Sequence, residues 1–220
     1  MKPTLTLLHT SAANVATFDQ LCAELAPDIT LQHVVDESLL DEARVNGGIT
    51  PELNRRVTAA VLNALDGGTG AVLCTCSSIG SCLEVARPFT SRPVIRIDDP
   101  MAGLAVETGS RIIVAATLSS TLQPTGEIVR RAAERAGKTI ELIEILCASA
   151  WEALEAGDKE GYEEEIVREL ATASGKADVI VLAQASMAGA ADRLETNIPV
   201  LTSPRTGFQA AIDTFRRTMK

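Results

Sequence analysis

The sequence predicts an α/β fold of two pseudosymmetric halves, each a mostly parallel sheet flanked by helices, with a cleft between them. Three observations lead there. Apolar runs of strand length alternate with helical patterns, the signature of βα units. Hydrophobic residues make up 46% of the chain and aromatics only 3%, so the core is aliphatic, as strands buried on both faces require. Finally, landmarks of the first half recur in the second at a nearly constant distance: Thr10 and Thr117 (117 − 10 = 107), Cys76 and Gln184 (184 − 76 = 108), Pro93 and Pro199 (199 − 93 = 106).

The elements follow in order. Leu5–Leu8 is a first strand, Val15–Leu25 has helical spacing, and Ile29–Val35 is a second strand. Thr50 before Pro51 and Glu52 marks a helix start, with Thr as cap and Pro in the first turn, and that helix runs to about Leu65. Gly67, Gly68 and Gly70 turn the chain into the strand Ala71–Thr75. A Ser-rich turn leads to a helix near Ile79–Ala86, and Pro93–Ile97 is the next strand. Asp98 and Asp99 before Pro100 read as a turn. The second half repeats the rhythm: strand Ile112–Ala116, helix Gly126–Ala136, strand Ile140–Leu146, helix Glu160–Ala173, strand Ala177–Ala183, strand Ile198–Leu201, and a closing helix Gly207–Met219 that packs back on the first half. The expected division is 1–92 with 206–220, carrying Cys76, and 93–205, carrying Gln184.

Bulk properties exclude several function classes. A formal net charge of −9 without a basic cluster argues against nucleic acid or an anionic membrane surface as partner. No uncharged apolar run approaches the roughly 18–20 residues of a membrane span. The stretch from Met1 to Thr10 reads as a strand rather than a signal peptide. Five cysteines at 22, 74, 76, 82 and 147 are expected as free thiols in a reducing cytoplasm. There is no glycine-rich phosphate loop, so nucleotide binding has no support.

Ligands of open α/β sheets bind beyond the carboxyl ends of strands. Thr10, Cys76, Thr117 and Gln184 all fall at such ends. Cys76 is the main chemical candidate. It follows a buried strand and precedes Ser77, Ser78 and an expected helix, whose dipole and free N–H groups favour a thiolate and bind a carboxylate. Cys74, Cys76 and Cys82 match no common zinc spacing and have no histidine nearby. Cys22 reads as core, and Cys147 as a core or wall residue that could alternatively supply a second thiol. The hydroxyls Thr10, Ser11, Thr117, Ser119, Ser120 and Thr121 suit carboxylate oxygens or helix capping. His9 reads as a strand residue satisfied by backbone, with a base near the site as the alternative, and His33 as a surface strand residue. Glu160, Glu163, Glu164 and Glu165 look like a solvated helix face. Asp98 and Arg205 are further candidates to line the cleft.

These segments resemble the aspartate/glutamate/hydantoin racemase superfamily across nearly the whole chain. AVLCTCSS at Ala71–Ser78 is similar to its first-half motif, a Cys-Asn-Thr triplet after a strand, placing Cys76, Ser77 and Ser78 on those positions. RIIVAATLSST at Arg111–Thr121 is similar to the strand opening the second half, which ends in a substrate-binding Thr. ADVIVLAQAS at Ala177–Ser186 resembles the second cysteine motif, and IPVLTSP at Ile198–Pro204 the strand after it. The resemblance implies a cofactor-independent enzyme, without metal or pyridoxal phosphate, acting on a small carboxylate, with a homo-oligomer common. In the superfamily's racemases two cysteines flank the α-carbon, one removing the proton and the other returning one from the opposite face.

This chain has Gln184 at the second cysteine position, followed by Ala185 and Ser186. A neutral amide cannot exchange a proton at useful rates, so a symmetric two-thiol racemase is not expected. The resemblance leaves Cys76 working with another acid/base, such as Cys147 or water, in a racemase or isomerase. It also leaves a single-cysteine decarboxylase of the arylmalonate type, a nucleophile as in maleate isomerases, or a carboxylate-binding protein without turnover.

Overall fold

Thr4–His9 forms the first strand, β1, and only its first residue escapes burial. It lies inside a parallel sheet, between β2 (Thr30–Val35) and β3 (Ala71–Cys74); β4 (Val94–Arg96) completes the order β2-β1-β3-β4. The protein is described from a computed structural model covering residues 4–218. Met1–Pro3 and the end of the expected closing helix at Met219 lie outside the described residues. A second parallel sheet contains β5 (Arg111–Ala116), β6 (Glu141–Leu146), β7 (Val179–Leu182) and β8 (Val200–Thr202) in the order β6-β5-β7-β8.

Register fixes the repeat. Leu8 pairs with Cys74 as Ala115 pairs with Leu182, and Val72 pairs with Val94 as Ile180 pairs with Val200. The equivalent strands are therefore shifted by 107 (115 − 8), 108 (182 − 74) and 106 (200 − 94) residues, the offsets read from the sequence.

The helices repeat as well. In the first round β1 leads to α1 (Ala13–Leu25), β2 to α2 (Ser38–Val45) and α3 (Pro51–Asp66), and β3 to a 3-10 turn at Ser77–Ile79 and α4 (Cys82–Ala86); after β4 comes α5 (Asp99–Thr108). The second round gives α6 (Ser119–Ala136), α7 (Ala148–Glu155), α8 (Lys159–Ala171), a 3-10 turn at Ala185–Met187, α9 (Ala188–Arg193) and α10 (Ser203–Thr218). Thr50 caps α3 as its sequence suggests, its hydroxyl accepting from the N–H of Leu53 at 3.1 Å.

The chain divides into two compact units: residues up to Ile97 together with Pro204 onward, and Asp98–Ser203. In the first unit, side chains alternate across the sheet. Leu8, Val72 and Cys74 meet Leu39, Leu53, Val57 and Val61 of α2 and α3 on one face. Leu5, Leu7 and Leu73 meet Phe18 of α1 and Phe208, Ile212 and Phe215 of α10 on the other. In the second unit Ile112, Val114 and Val181 pack on Met101 and Val106 of α5 and Ile128 of α6. Ile113, Ile180 and Leu182 pack on Tyr162, Ile166 and Leu170 of α8. Each unit's sheet is thus covered on both faces, the arrangement that lets parallel strands be apolar throughout.

Several local expectations are corrected. Asp98-Asp99-Pro100 opens α5 instead of making a turn, because Pro is tolerated in a helix's first turn, where its missing N–H has no intrahelical role. Helix α6 begins at Ser119 rather than Gly126 and runs through Pro124. The helix expected over Ile79–Ala86 is broken into a one-turn 3-10 segment and α4. Helices α2, α7 and α9 lie in stretches whose sequence pattern does not announce a helix. Among the described residues no helix is long and apolar enough to cross a membrane.

Candidate active site

Strand β3 ends at Cys74, and two residues later Cys76 stands in extended conformation (φ −115°, ψ 116°) immediately before the 3-10 turn Ser77–Ile79. All five cysteines are free thiols, and Cys76 alone is not buried. Cys74 is sealed in the core, its Sγ donating to the carbonyl of Cys76 at 3.5 Å. Burial pushes the Cys82 thiol up to about 12 and the Cys147 thiol up to about 11. Buried thiols of this kind are poor nucleophiles and poor proton donors near neutrality. Cys147 sits in the aliphatic core with Ile113 and Ile166, so it is a core residue and not a second thiol of the site. Cys22 is core as well.

The electrostatic argument for Cys76 changes in one respect. The element that follows it is a three-residue turn, and α4 begins only at Cys82, so no long helix points its dipole at the sulfur. What remains is the start of a helical turn, whose first N–H groups lack partners inside the turn. Ser77 and Ser78 are buried there.

Beneath this turn lies a buried arginine. Arg96 is 1% exposed, with Nη1 3.6 Å from Glu84 Oε1. A Cβ on Gly80 would come within 2.8 Å of its Cζ, so glycine is what lets the chain after Cys76 rest on the guanidinium. The signal was a lone arginine inside the apolar strand Pro93–Ile97.

At the adjacent end of β1, Thr10 is buried and Ser11 partly exposed. His9 is fully buried, and side chains rather than backbone satisfy its ring. Nδ1 lies 2.8 Å from Thr75 Oγ1, and Nε2 2.8 Å from Nδ1 of His33. Burial, and then His33, hold His9 down at about 4. His33 is correspondingly half-buried, its Nε2 3.1 Å from Asp19 Oδ1.

The second unit has an equivalent group. Gln184 occupies the position matching Cys76, extended (φ −113°, ψ 142°) and followed by the 3-10 turn Ala185–Met187. Its side-chain carbonyl accepts from the main-chain N–H of Thr117 at 2.6 Å and from the Thr117 hydroxyl at 2.9 Å. With the oxygen held by two donors, the amide NH2 is the end left to donate. Ser186 Oγ lies 2.7 Å from the hydroxyl of Tyr162. Burial raises the Tyr162 hydroxyl to about 12, so it remains a protonated donor. Tyr162, unflagged in the sequence, shares the buried α8 stripe with Ile166 and Leu170.

Ser120 and Thr121 lie in the first turn of α6 and are buried. The N-cap, Leu118, offers no side-chain cap, and Ser120 Oγ has no hydrogen-bond partner among the described residues. An uncapped helix start with a spare hydroxyl is suited to a carboxylate.

Thus Thr10, Ser11, Cys76, Ser77 and Ser78 gather at the strand ends of one unit, and Thr117, Ser120, Thr121, Gln184, Ala185 and Ser186 at those of the other. Arg205 pairs with Glu24 at 2.6 Å between α10 and α1, and Asp98 is buried at the N-cap of α5. Among the described residues no three His, Cys, Asp or Glu side chains form a metal-binding set. A surface depression of about 370 Å³ lined by Leu62, Asp66, Phe89 and Arg92 opens at the amino-terminal side of β3 and β4, away from Cys76.

The sequence matches the Asp/Glu/Hydantoin racemase family over residues 7–211. The chain belongs to this family. Solved structures of racemases share its fold. Glutamate racemase from Thermus thermophilus, in complex with beta-chloro-D-alanine, superposes with a TM-score of 0.74 at 17% identity, covering 98% of this chain and 81% of that one. Picrophilus torridus aspartate racemase gives 0.72 at 12% identity, covering 99% and 95%. Arylmalonate decarboxylase gives 0.58 at 16% identity, covering 97% and 92%. No curated protein sequence matches the chain. At these identities the likeness to solved structures is one of fold, while membership in the racemase family rests on the sequence match.

Proposed function

We propose that this family member is a cofactor-independent racemase- or isomerase-type enzyme acting on a small carboxylate, with Cys76 as its acid/base thiol. One observation carries the reading. Cys76 and Gln184 occupy the same structural position after the third strand of each repeat, and Cys76 is the one cysteine outside the core. In this reading Cys76 exchanges the proton on the carbon next to the carboxylate. Gln184, fixed by Thr117, donates a hydrogen bond from its amide N–H to a substrate oxygen and transfers no proton. Ser77, Ser78, Thr10 and Ser11, and the α6 turn with Ser120 and Thr121, bind carboxylate oxygens, as do Ala185 and Ser186 through the second turn. The second proton of an isomerisation then comes from water, since Cys147 is buried. A small carboxylate is the partner; cytoplasmic location and a homo-oligomer fit this reading.

The test is deuterium incorporation at the α-carbon of candidate amino and hydroxy acids in D2O. Exchange by the wild type, abolished in Cys76→Ser, supports the proposal. Exchange that survives the substitution overturns it. Release of carbon dioxide from malonate-type acids instead assigns a single-cysteine decarboxylase, and a cis–trans change in an unsaturated diacid assigns a maleate-isomerase-like reaction.

The amide at position 184 favours a second reading, a carboxylate-binding protein without turnover. It predicts thermal stabilisation by carboxylates that grows with ligand concentration, with no exchange and no product.

A further inference from the structure

The chain has two histidines, and both belong to one line of hydrogen bonds that runs from α1 through β2 and β1 to the residue after β3. Asp19 of α1 lies 3.1 Å from His33 Nε2; His33 Nδ1 lies 2.8 Å from His9 Nε2; His9 Nδ1 lies 2.8 Å from Thr75 Oγ1. The imidazole rings stack at 5.1 Å with planes 18° apart. The line runs inward from solvent: the Asp19 side chain is 61% exposed, that of His33 17%, and His9 is sealed. Its inner end is bistable. Thr75 Oγ1 has one hydrogen but two acceptors in reach, His9 Nδ1 at 2.8 Å and the carbonyl of Leu8 at 3.2 Å.

We infer that Asp19, His33 and His9 form a proton-sensing tether that positions Thr75, and through it Cys76, at the carboxyl-terminal end of β3. Its bearing on chemistry rests on the reading of Cys76 above. Two arrangements satisfy every contact. In the neutral one, Thr75 O–H donates to His9 Nδ1, His9 Nε2–H donates to His33 Nδ1, and His33 Nε2–H donates to Asp19. With one added proton, His33 carries hydrogen on both nitrogens. His33 Nδ1–H then donates to His9 Nε2, the single His9 proton sits on Nδ1 and donates to Thr75 Oγ1, and the Thr75 hydroxyl turns to Leu8. One proton enters, and no group is left without a partner.

The titratable groups acting on His9 are His33 from β2 and Asp19 from α1. The residue after β3, Thr75, faces it, and α1 also places Phe18 5.6 Å away, backed by Phe208 of α10. Burial keeps His9 itself neutral. In the segment it acts on, Thr75 N–H donates to the carbonyl of Leu8 at 3.0 Å, Cys76 follows directly, and the Cys76 carbonyl accepts from Cys74 Sγ at 3.5 Å.

Nuclear magnetic resonance of the full chain tests this. His9 should be the Nε2–H tautomer at about pH 8 and become Nδ1–H on acidification towards about pH 5. The amide resonances of Thr75 and Cys76 should shift with the same midpoint. Asp19→Asn keeps an acceptor on an exposed residue and removes its charge, so all three midpoints should fall together by about half a pH unit. His33→Gln should abolish the tautomer change in a folded protein. A single His9 tautomer throughout, or a Cys76 amide that does not move with it, overturns the tether. These are resonances of the resting protein, so a Cys76 without turnover leaves this test intact, and a failed tether leaves the deuterium test intact.

Discussion

Thr117 grips Gln184 by its side-chain carbonyl, with the main-chain N–H at 2.6 Å and the hydroxyl at 2.9 Å. The two residues are 67 positions apart and meet because β5 and β7 are neighbours whose carboxyl ends are level. The grip occupies the amide oxygen with two donors, which leaves the nitrogen as the end that can donate.

Thr117→Val removes the hydroxyl and leaves the main-chain donor in place. The loss of that bond, with the Gln184 oxygen left one donor short, costs about 1–2 kcal/mol. At about 2–4 °C per kcal/mol for a chain of this size, melting should drop by several degrees. The amide of Gln184 then swings, so stabilisation by added carboxylates should fall by more than the melting temperature accounts for. Calorimetric scans with and without ligand check this; an unchanged ligand shift refutes a binding role for Gln184.

Thiol accessibility gives a second expectation. Four of the five cysteines are buried, so a thiol reagent should label one site in the native protein and five in denaturant. Peptide mapping should place the native label on Cys76. Cys76→Ala should abolish native labelling while altering stability by no more than about 1 kcal/mol, as for a partly exposed side chain. Rapid native labelling of Cys82 or Cys147 would contradict the burial that raises both thiols.

Much of this was legible in the sequence, and the residues that were not share a cause. Strand runs and offsets survived because an apolar run buried on both faces has a composition of its own, whatever its partners. Thr50, Pro51 and Glu52 announced α3 through local chemistry. Asp98-Asp99-Pro100 and Ser119–Pro124 misled because turn-forming residues are also the residues of helix first turns. His9 looked like a backbone-satisfied strand residue because its partners, Thr75 and His33, are 66 and 24 positions away. Tyr162 meets Ser186 across 24 positions. Such pairs depend on sheet order, which local pattern does not encode.

His9 sets a pH dependence whose sign is fixed. Its folded value, about 4, lies below the ordinary 6.5, so the fold favours the neutral ring. The unfolded chain takes up a proton below about pH 6.5 while the folded chain refuses it until about pH 4. The stability His9 contributes is therefore complete above pH 6.5 and is lost as pH falls through that window, by about 2 kcal/mol at pH 5. Asp178, held at about 2 by Arg111, is lost only at lower pH, below its ordinary carboxylate range. Urea midpoints at pH 7.5 and 5 should differ accordingly in the wild type, and the difference should shrink in His9→Gln.

Two glycines in helices should respond oppositely to the same substitution. Gly207 lies near the start of α10, where a Cβ would stand 2.0 Å from the main-chain carbonyl oxygen of Ile97 and 2.8 Å from its Cδ1. Backbone cannot swing aside as a side chain can, so Gly207→Ala must push α10 away from the sheet it covers with Phe208, Ile212 and Phe215. Overpacking of this kind costs about 1–3 kcal/mol, occasionally more. Gly103 is inside α5 with nothing within 4 Å of its added Cβ. Gly103→Ala should therefore stabilise by about 0.5–1 kcal/mol, because alanine loses less backbone entropy in a helix. Denaturant midpoints of the two variants should move in opposite directions from the wild type. A neutral Gly207→Ala would mean that α10 is not seated on Ile97 as described.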